Sequence, residues 1–183
     1  MKKFRVQLNS LTPLMFNPFR GQEEIPPERK LNLARDGETL ILPASNIMGF
    51  LSSKMVGRSC INTFVPPKER PDRVAEVLAS VIVSPVEIPI TENGKPIKFT
   101  GWNERIYVDE RAAQASKTAR IIARRPVIST PWEVEFEIWL NETKFLDEDR
   151  LHRWFVEGGV MVGLGAFRPF FGRFEVTTWE SIT

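Results

Sequence analysis

The sequence has few of the residues that support disulfide, metal or histidine chemistry. The 183-residue chain contains one cysteine, Cys60, and one histidine, His152. A single cysteine excludes an intrachain disulfide and is typical of a reducing cytoplasm, and no Cys/His cluster has zinc-ligand spacing. No apolar run reaches membrane-spanning length, and the first residues alternate rather than form the apolar block of a signal peptide. We therefore expect a cytoplasmic protein with no metal, no other cofactor and no membrane partner.

Charge is distributed unevenly along the chain, although the net charge is only +2. The segment from residue 105 to residue 125 has six basic residues and two acidic ones, so it is net positive while the remainder is net negative. Its basic residues are Arg105, Arg111, Lys117, Arg120, Arg124 and Arg125. A local patch of this kind is typical of a phosphate-binding stripe, and a solvated basic face is the alternative.

Apolar alternation predicts strands near both ends of the chain. Period-two patterns occur at Phe4–Leu8, at Trp132–Leu140 and again from Phe174, as expected for half-buried strands. Residues 80–90 are rich in β-branched residues and punctuated by prolines, which predicts an irregular strand. Asp36-Gly37 lies between two apolar segments and predicts a hairpin turn.

Two helices are predicted between these strands. The first follows Ser45 or Asn46, either of which is a suitable N-cap. The second follows Asp147, whose carboxylate suits a helix N-terminus, and Gly158-Gly159 is expected to interrupt or end it. Residues 97–130 show no clean periodicity until residues 111–123, which we expect to be partly helical.

The predicted order of elements is strand, helix, strand, strand, helix, strand. This order is typical of an α+β fold of the ferredoxin-like or RRM-like class (split βαβ). We expect one domain over residues 1–183, with a compact insertion, residues 57–130, between the first helix and the third core strand. Many unrelated proteins share this arrangement, so the fold alone assigns no function.

A glycine-rich stretch near the end of the chain is the most informative segment for function. Residues 163–174 place three glycines around Arg168, Arg173 and several phenylalanines. Glycine permits close backbone approach, arginine binds phosphate, and aromatic rings stack on bases, so the composition suits single-stranded nucleic acid. The alternative is a glycine-rich turn whose phenylalanines fill the core.

Three segments in this order resemble one known family. They are the first strand ending in Leu11–Leu14, the helix start Leu42–Leu51, and the glycine-rich stretch 163–174. Together they resemble the RAMP superfamily, the RRM-like proteins of CRISPR effector complexes. The second segment is similar to the family's I-P-x-S-S-I-x-G-x-L, with Asn46 in place of the second serine. Within the superfamily, the chain most resembles the repeating backbone subunit that lines the guide RNA.

The resemblance implies a non-catalytic RNA-binding subunit of a CRISPR-type antiviral ribonucleoprotein. Such a subunit holds single-stranded guide RNA by its backbone, packs head-to-tail on it and contacts other effector subunits. The implied RNA contacts on or near the first helix are Ser45, Asn46, Lys54 and Arg58. Those in the glycine-rich stretch are Gly165, Arg168 and Arg173. The basic segment, with Lys117, Arg120, Arg124 and Arg125, would supply a thumb-like clamp or a contact to the next subunit.

A metal-independent endoribonuclease of the same superfamily remains an alternative. It would need a general acid or base, and histidine is the usual choice. We expect His152 to face solvent on the second helix, outside any matching motif. The loop after the first strand offers Glu23, Glu24, Glu28 and Asp36, of which Asp36 already has a turn role. We therefore favour a binding protein over an enzyme.

A phage-type ferredoxin-like assembly protein without nucleic acid is the second alternative. The five tryptophans and thirteen phenylalanines of the chain suit a subunit interface as well as base stacking. The arginines distinguish these functions. If these arginines converge in one groove, RNA binding is favoured; if they scatter or pair with acidic residues, assembly is favoured. The set is Arg120, Arg124, Arg168 and Arg173.

Overall fold

The computed structural model describes residues 1–18, 25–53, 58–114 and 117–182. Three residues named above, Glu23, Glu24 and Lys54, lie outside these ranges. The strands are β1 (Lys2–Ser10), β2 (Leu14–Met15), β3 (Ile41–Pro43), β4 (Val81–Ser84), β5 (Glu87–Glu92), β6 (Lys95–Pro96), β7 (Ile106–Gln114), β8 (Arg120–Ile128), β9 (Glu133–Leu140) and β10 (Phe174–Ile182). The helices are α1 (Ala44–Ser52), α2 (Cys60–Phe64), α3 (Arg70–Ser80) and α4 (Glu148–Met161), with a short 3-10 helix at Pro27–Lys30.

The main sheet has the strand order of a ferredoxin-like fold. β1 lies between β10 and β9, and β9 pairs on its other side with β4 and β5, all antiparallel. Counting β1, β4, β9 and β10 as the four core strands gives the spatial order 4-1-3-2. The chain therefore has the predicted α+β, RRM-like architecture.

The fourth position of this sheet is shared by two consecutive strands. β4 pairs with the C-terminal half of β9, and β5 pairs with its N-terminal end. Pro85 separates β4 from β5, because proline cannot donate to a strand ladder. The irregular strand predicted at residues 80–90 is thus confirmed as β4 and β5. The turn after β5 places Asn93 and Gly94 at positive φ, as in a tight hairpin.

Helices α1 and α4 cover one face of the sheet. The Phe50 ring of α1 lies 5.2 Å from that of Phe155 on α4 and 5.4 Å from that of Phe174 on β10. The expected interruption at Gly158-Gly159 is wrong, because α4 continues through both residues to Met161. A Cβ at Gly158 would lie 2.9 Å from the Phe50 ring, and one at Gly159 would meet the backbone of Phe174. The glycines let α4 pack closely on its neighbours.

The two predicted helix starts differ in outcome. Asp147 is confirmed as the N-cap of α4, where its carboxylate accepts a hydrogen bond from the Arg150 N–H at 2.9 Å. The expectation of an N-cap at Ser45 or Asn46 is wrong, because α1 begins at Ala44 with Pro43 as its N-cap. The Ala44 N–H donates to the Val86 carbonyl, so a neighbouring strand segment satisfies this helix end.

The basic segment forms a β-hairpin instead of the expected partial helix. β7 and β8 pair antiparallel, and β2 adds a third strand to this second sheet. Asp109 lies opposite Arg125 on one face of the hairpin, while Glu110 lies opposite Arg124 on the other. Cross-strand pairing thus overrides the helix propensity of the alanines in this segment.

Within the described residues, no helix is long and apolar enough to cross a membrane.

Candidate functional site

The glycine-rich loop between α4 and β10 is fixed to the connection between β1 and β2. The Leu164 N–H donates to the Gly172 carbonyl at 2.9 Å, and the Gly172 N–H donates to the Pro13 carbonyl at 2.7 Å. A third bond joins the Ala166 N–H to the Met15 carbonyl at 2.8 Å. Gly172 has a φ of 78°, and a Cβ there would collide with the Leu164 backbone. The loop therefore requires glycine and has a defined conformation.

The first turn of α1 also contacts this loop. The Asn46 side-chain oxygen accepts a hydrogen bond from the Gly165 N–H at 3.0 Å. Gly165 has a φ of 74°, and a Cβ there would collide with the Met15 carbonyl. Ser45 is exposed beside Asn46 on the same turn. Three of the predicted site residues therefore lie together, where the helix start meets the loop.

Two phenylalanines of the loop project into solvent. Phe167 is 46% exposed and Phe170 is 65% exposed, whereas Phe171 is buried against Met15 and Val127. Phe167 has a φ of 52°, a left-handed conformation that is strained for a bulky residue. Phe171 therefore fills the core, as the alternative reading of the loop expected. The two exposed rings do not.

Arg111 of β7 joins the hairpin to these rings. Its guanidinium carbon lies 4.8 Å from the ring centre of Phe167, 5.5 Å from that of Phe170 and 5.1 Å from that of Phe171. The Asp109 carboxylate accepts two hydrogen bonds from this guanidinium, at 2.6 and 2.8 Å. Such stacking of arginine on aromatic rings is a cation–π contact. The sequence placed Arg111 in the basic segment but offered no signal for this contact.

Four guanidinium groups form an arginine cluster beside the loop: Arg58, Arg111, Arg125 and Arg168. Burial lowers the pKa of Arg168, and the charge of Arg58 lowers it further. Burial also lowers the pKa of Arg125, which interacts with Asp109, Arg111 and Arg58. Asp109 is the carboxylate that interacts with Arg111 and Arg125. A local group of guanidinium charges favours an anionic ligand.

The remaining predicted basic residues lie away from this cluster. Arg124 projects from the opposite face of the hairpin, where its guanidinium pairs with Glu110 at 2.8 Å. Lys117 and Arg120 are exposed near the distal end of the hairpin. Arg173 lies at the far end of the loop, where its backbone N–H donates to the Thr12 hydroxyl at 2.9 Å. The structure thus brings Arg58, Arg125 and Arg168 together and leaves these four outside the cluster. The test set Arg120, Arg124, Arg168 and Arg173 therefore does not converge in one groove, because only Arg168 belongs to the cluster. The pairing of Arg124 with Glu110 is the arrangement expected of an assembly protein.

Arg105 has a structural role at the base of the hairpin. Its guanidinium donates to the carbonyls of Ser129 and Pro131 and pairs with Glu92 at 3.2 Å. This arginine connects the start of β7 to the segment that leads into β9. Its charge is already paired with the Glu92 carboxylate.

The candidate acid/base residues have structural contacts of their own. The Asp36 carboxylate accepts hydrogen bonds from the Thr39 hydroxyl and from the N–H groups of Thr39 and Glu38, which lower its pKa to about 2. The expectation of a solvent-facing His152 is wrong, because its ring is half-buried and stacks on Trp179 at 4.8 Å. Glu28 accepts a hydrogen bond from the Trp102 indole at 2.8 Å. In the described part of the chain, no group of three or more His, Cys, Asp or Glu residues is placed to hold a metal ion.

Comparisons with known proteins add a structural match. No family model matches the chain, and no curated protein does. Among solved structures, a chain of the Type III-B Cmr-beta, determined by cryo-EM bound to cognate target RNA, matches with a TM-score of 0.62 and 13% sequence identity. The match covers 100% of this chain and 61% of that chain, so the protein spans less than two thirds of its length. At this identity, the similarity concerns the fold.

Proposed function

We propose that the protein is an RNA-binding subunit of a CRISPR-type ribonucleoprotein that holds single-stranded guide RNA by its backbone. The observation that carries this proposal is the arginine cluster beside the two exposed rings of Phe167 and Phe170. Guanidinium groups bind phosphates, and exposed rings stack on unpaired bases, so one surface offers both contacts that single-stranded RNA requires. The similarity in fold to a chain of an RNA-bound Cmr complex supports the same assignment.

The proposal extends to the first turn of α1 and to the hairpin. Ser45 is exposed where α1 meets the loop, and Lys117 and Arg120 extend the positive charge along the hairpin. We propose that Ser45, Asn46 and Gly165 line the RNA backbone and that the hairpin is the thumb-like part of the segment 57–130. Ile121 and Ile122 are 46% and 65% exposed near the hairpin tip, which suits packing on the next copy along the RNA. Head-to-tail packing of this kind builds open filaments.

Binding without cleavage is the favoured form of this function. The candidate carboxylate Asp36 accepts hydrogen bonds within its own turn, and His152 is stacked against Trp179. Both residues already have a structural role that explains them. We therefore propose an RNA-holding subunit, with the endoribonuclease and the assembly protein without nucleic acid as the alternatives.

The test is binding of a fluorescently labelled 30-nucleotide single-stranded RNA, measured by anisotropy over a series of salt concentrations. We expect the wild-type protein to bind with several copies per RNA and to leave the RNA intact on a denaturing gel. Arg168→Gln should weaken binding about tenfold, since a charge-assisted hydrogen bond contributes about 1.5–3 kcal/mol. Affinity should also depend less steeply on salt.

The matched control is Arg5→Ala, which removes an arginine paired with Glu180 on the open face of the sheet. It should leave RNA affinity unchanged. Failure of the wild-type protein to bind RNA, or equal loss in both variants, would contradict the proposal. Shortened RNA on the gel would favour the endoribonuclease.

A further inference from the structure

A cavity of about 550 Å³ lies between the α2–α3 connection, the start of α3 and helix α4 with the loop before it. Its wall contains the half-buried Phe145, whose ring lies between two guanidinium groups, with Arg73 at 4.4 Å and Arg150 at 4.5 Å. The same ring contacts Trp154 edge-to-face at 5.9 Å. The Trp154 ring in turn stacks on Phe64 at 6.4 Å, so one side of the cavity is aromatic. The volume lies within the range of small-molecule sites.

The cations around this cavity are only partly neutralised. Arg73 pairs with Glu76 at 2.7 Å and with Glu69 at 3.7 Å. Three further cations line the cavity, namely Lys144, Arg150 and Arg153. Among the residues that the structure describes, these three form no ion pair with a carboxylate. Their N–H donors are therefore available to an anion.

We propose that this cavity binds a ribonucleoside phosphate. Lys144, Arg150 and Arg153 would bind the phosphate, as lysine and arginine side chains do elsewhere. The half-buried Phe64 ring would stack on the base, since Trp154 is buried and Phe145 lies between two guanidinium groups. Two carboxylates also line the cavity, those of Glu69 and Glu157. A carboxylate accepts hydrogen bonds from ribose hydroxyls, as in dinucleotide-binding folds.

The two carboxylates decide between a nucleotide and an acidic peptide. Glu69 and Glu157 would repel the side chains of an acidic peptide, whereas they complement the hydroxyls of a ribose. A short run of aspartates or glutamates also has no ring that could pack against the aromatic side chains of the cavity. The combination of cations, rings and carboxylates therefore selects a ribonucleotide.

This cavity is separate from the arginine cluster. Arg58 of the cluster precedes α2, whereas Phe64 of the cavity is the last residue of α2. The two sites share no side chain, so each can be substituted separately. The inference does not depend on RNA binding at the arginine cluster.

The test is isothermal titration calorimetry of the full chain with AMP, adenosine, dAMP, inorganic phosphate and a hexaglutamate peptide. We expect AMP to bind more tightly than each of the others. The variant Lys144→Ala/Arg153→Ala should weaken AMP binding by about tenfold or more, through loss of two charge-assisted bonds. Glu157→Gln should reduce the preference for AMP over dAMP. The matched control is Lys95→Ala, which removes an exposed lysine of β6 outside the cavity and should bind AMP as the wild type does.

Further experiments distinguish a free nucleotide from an RNA end as the ligand, and the cavity from the arginine cluster as the site. A 5′-phosphorylated oligoribonucleotide that competes with AMP would assign the cavity to an RNA end, whereas exclusion of the oligonucleotide would assign it to a free nucleotide. Arg168→Gln should keep AMP binding, and the Lys144/Arg153 variant should keep anisotropy-measured RNA binding. Absence of AMP binding, equal binding of inorganic phosphate, or preference for hexaglutamate would each overturn the proposal.

Discussion

The surface formed by the loop and hairpin differs in charge from the open face of the main sheet. The first carries the arginine cluster and two exposed phenylalanines. The second carries Glu133, Glu135 and Glu137 of β9, and its Arg5 is paired with Glu180. RNA-recognition modules usually stack bases on the open sheet face. The acidic face makes that mode unfavourable here, and the proposed site lies instead on loops held by the scaffold.

The largest expected effect comes from removing two charges of the arginine cluster. Arg125→Gln/Arg168→Gln should weaken binding of single-stranded RNA on the order of 100-fold at low salt, because two phosphate contacts are lost. The slope of log affinity against log salt should fall by about 1.4, since each phosphate contact on a single strand contributes about 0.7. Anisotropy titrations at several salt concentrations measure both quantities.

Thermal melting of the same variant is the control for folding. Both guanidinium groups are partly buried, and their replacement could therefore disturb folding. Glutamine is chosen because it can still form hydrogen bonds although it has no charge. A variant that melts like the wild type and still binds RNA normally would show that the two surfaces do not differ in function.

The sequence predicted the strands that alternate strongly and the helix with an acidic cap. β1 and β9 have regular alternation, and Asp147 caps α4 as expected. The hairpin at residues 106–128 was missed, because its alanines favour helix and its pairing depends on tertiary context. Composition also suggested nucleic-acid binding by the glycine-rich loop, which stays a prediction.

The geometry of the candidate site was harder to predict than its composition. Arg58, Arg111 and Arg168 come from three distant segments. Only the folded chain shows that Arg58 and Arg111 lie near Arg125 and that Arg58 also lies near Arg168. Alternation along a strand separates Arg124 from Arg125, but the face that turns towards the loop is set by tertiary packing. The exposure of Phe170 beside the buried Phe171 depends on the turn of the loop in the same way.

Removing an exposed ring should have a smaller effect of a different kind. Phe167→Ala should weaken RNA binding by about tenfold, since stacking on one base contributes about 1–3 kcal/mol. The salt slope should stay at the wild-type value, because no charge is removed. The matched control is Phe167→Tyr, which keeps the ring and should retain affinity. A changed slope in Phe167→Ala would indicate that loss of the ring had displaced the Arg111 guanidinium, which contacts it.

The two faces of the hairpin provide a sharper comparison within one strand. Arg124→Ala should weaken RNA binding only about two- to threefold, because its guanidinium already pairs with Glu110 and exposed pairs contribute little. Arg125→Ala should weaken it about tenfold, because Arg125 belongs to the arginine cluster. Equal losses in these neighbouring residues would mean that RNA contacts both faces of the hairpin.

The smallest expected effect concerns the acidic face of the sheet. Glu135→Gln removes one of three negative charges of β9, and we expect the affinity for RNA to change less than about twofold, because a distant exposed charge is screened by salt. Anisotropy in the buffer used for the other variants measures this change, with Asp149→Asn on α4, across the sheet from the open face, as the matched control. A gain of tenfold or more, specific to Glu135→Gln, would place the RNA close to the sheet. The open face would then take part in binding, and its charge would set the affinity instead of excluding the ligand.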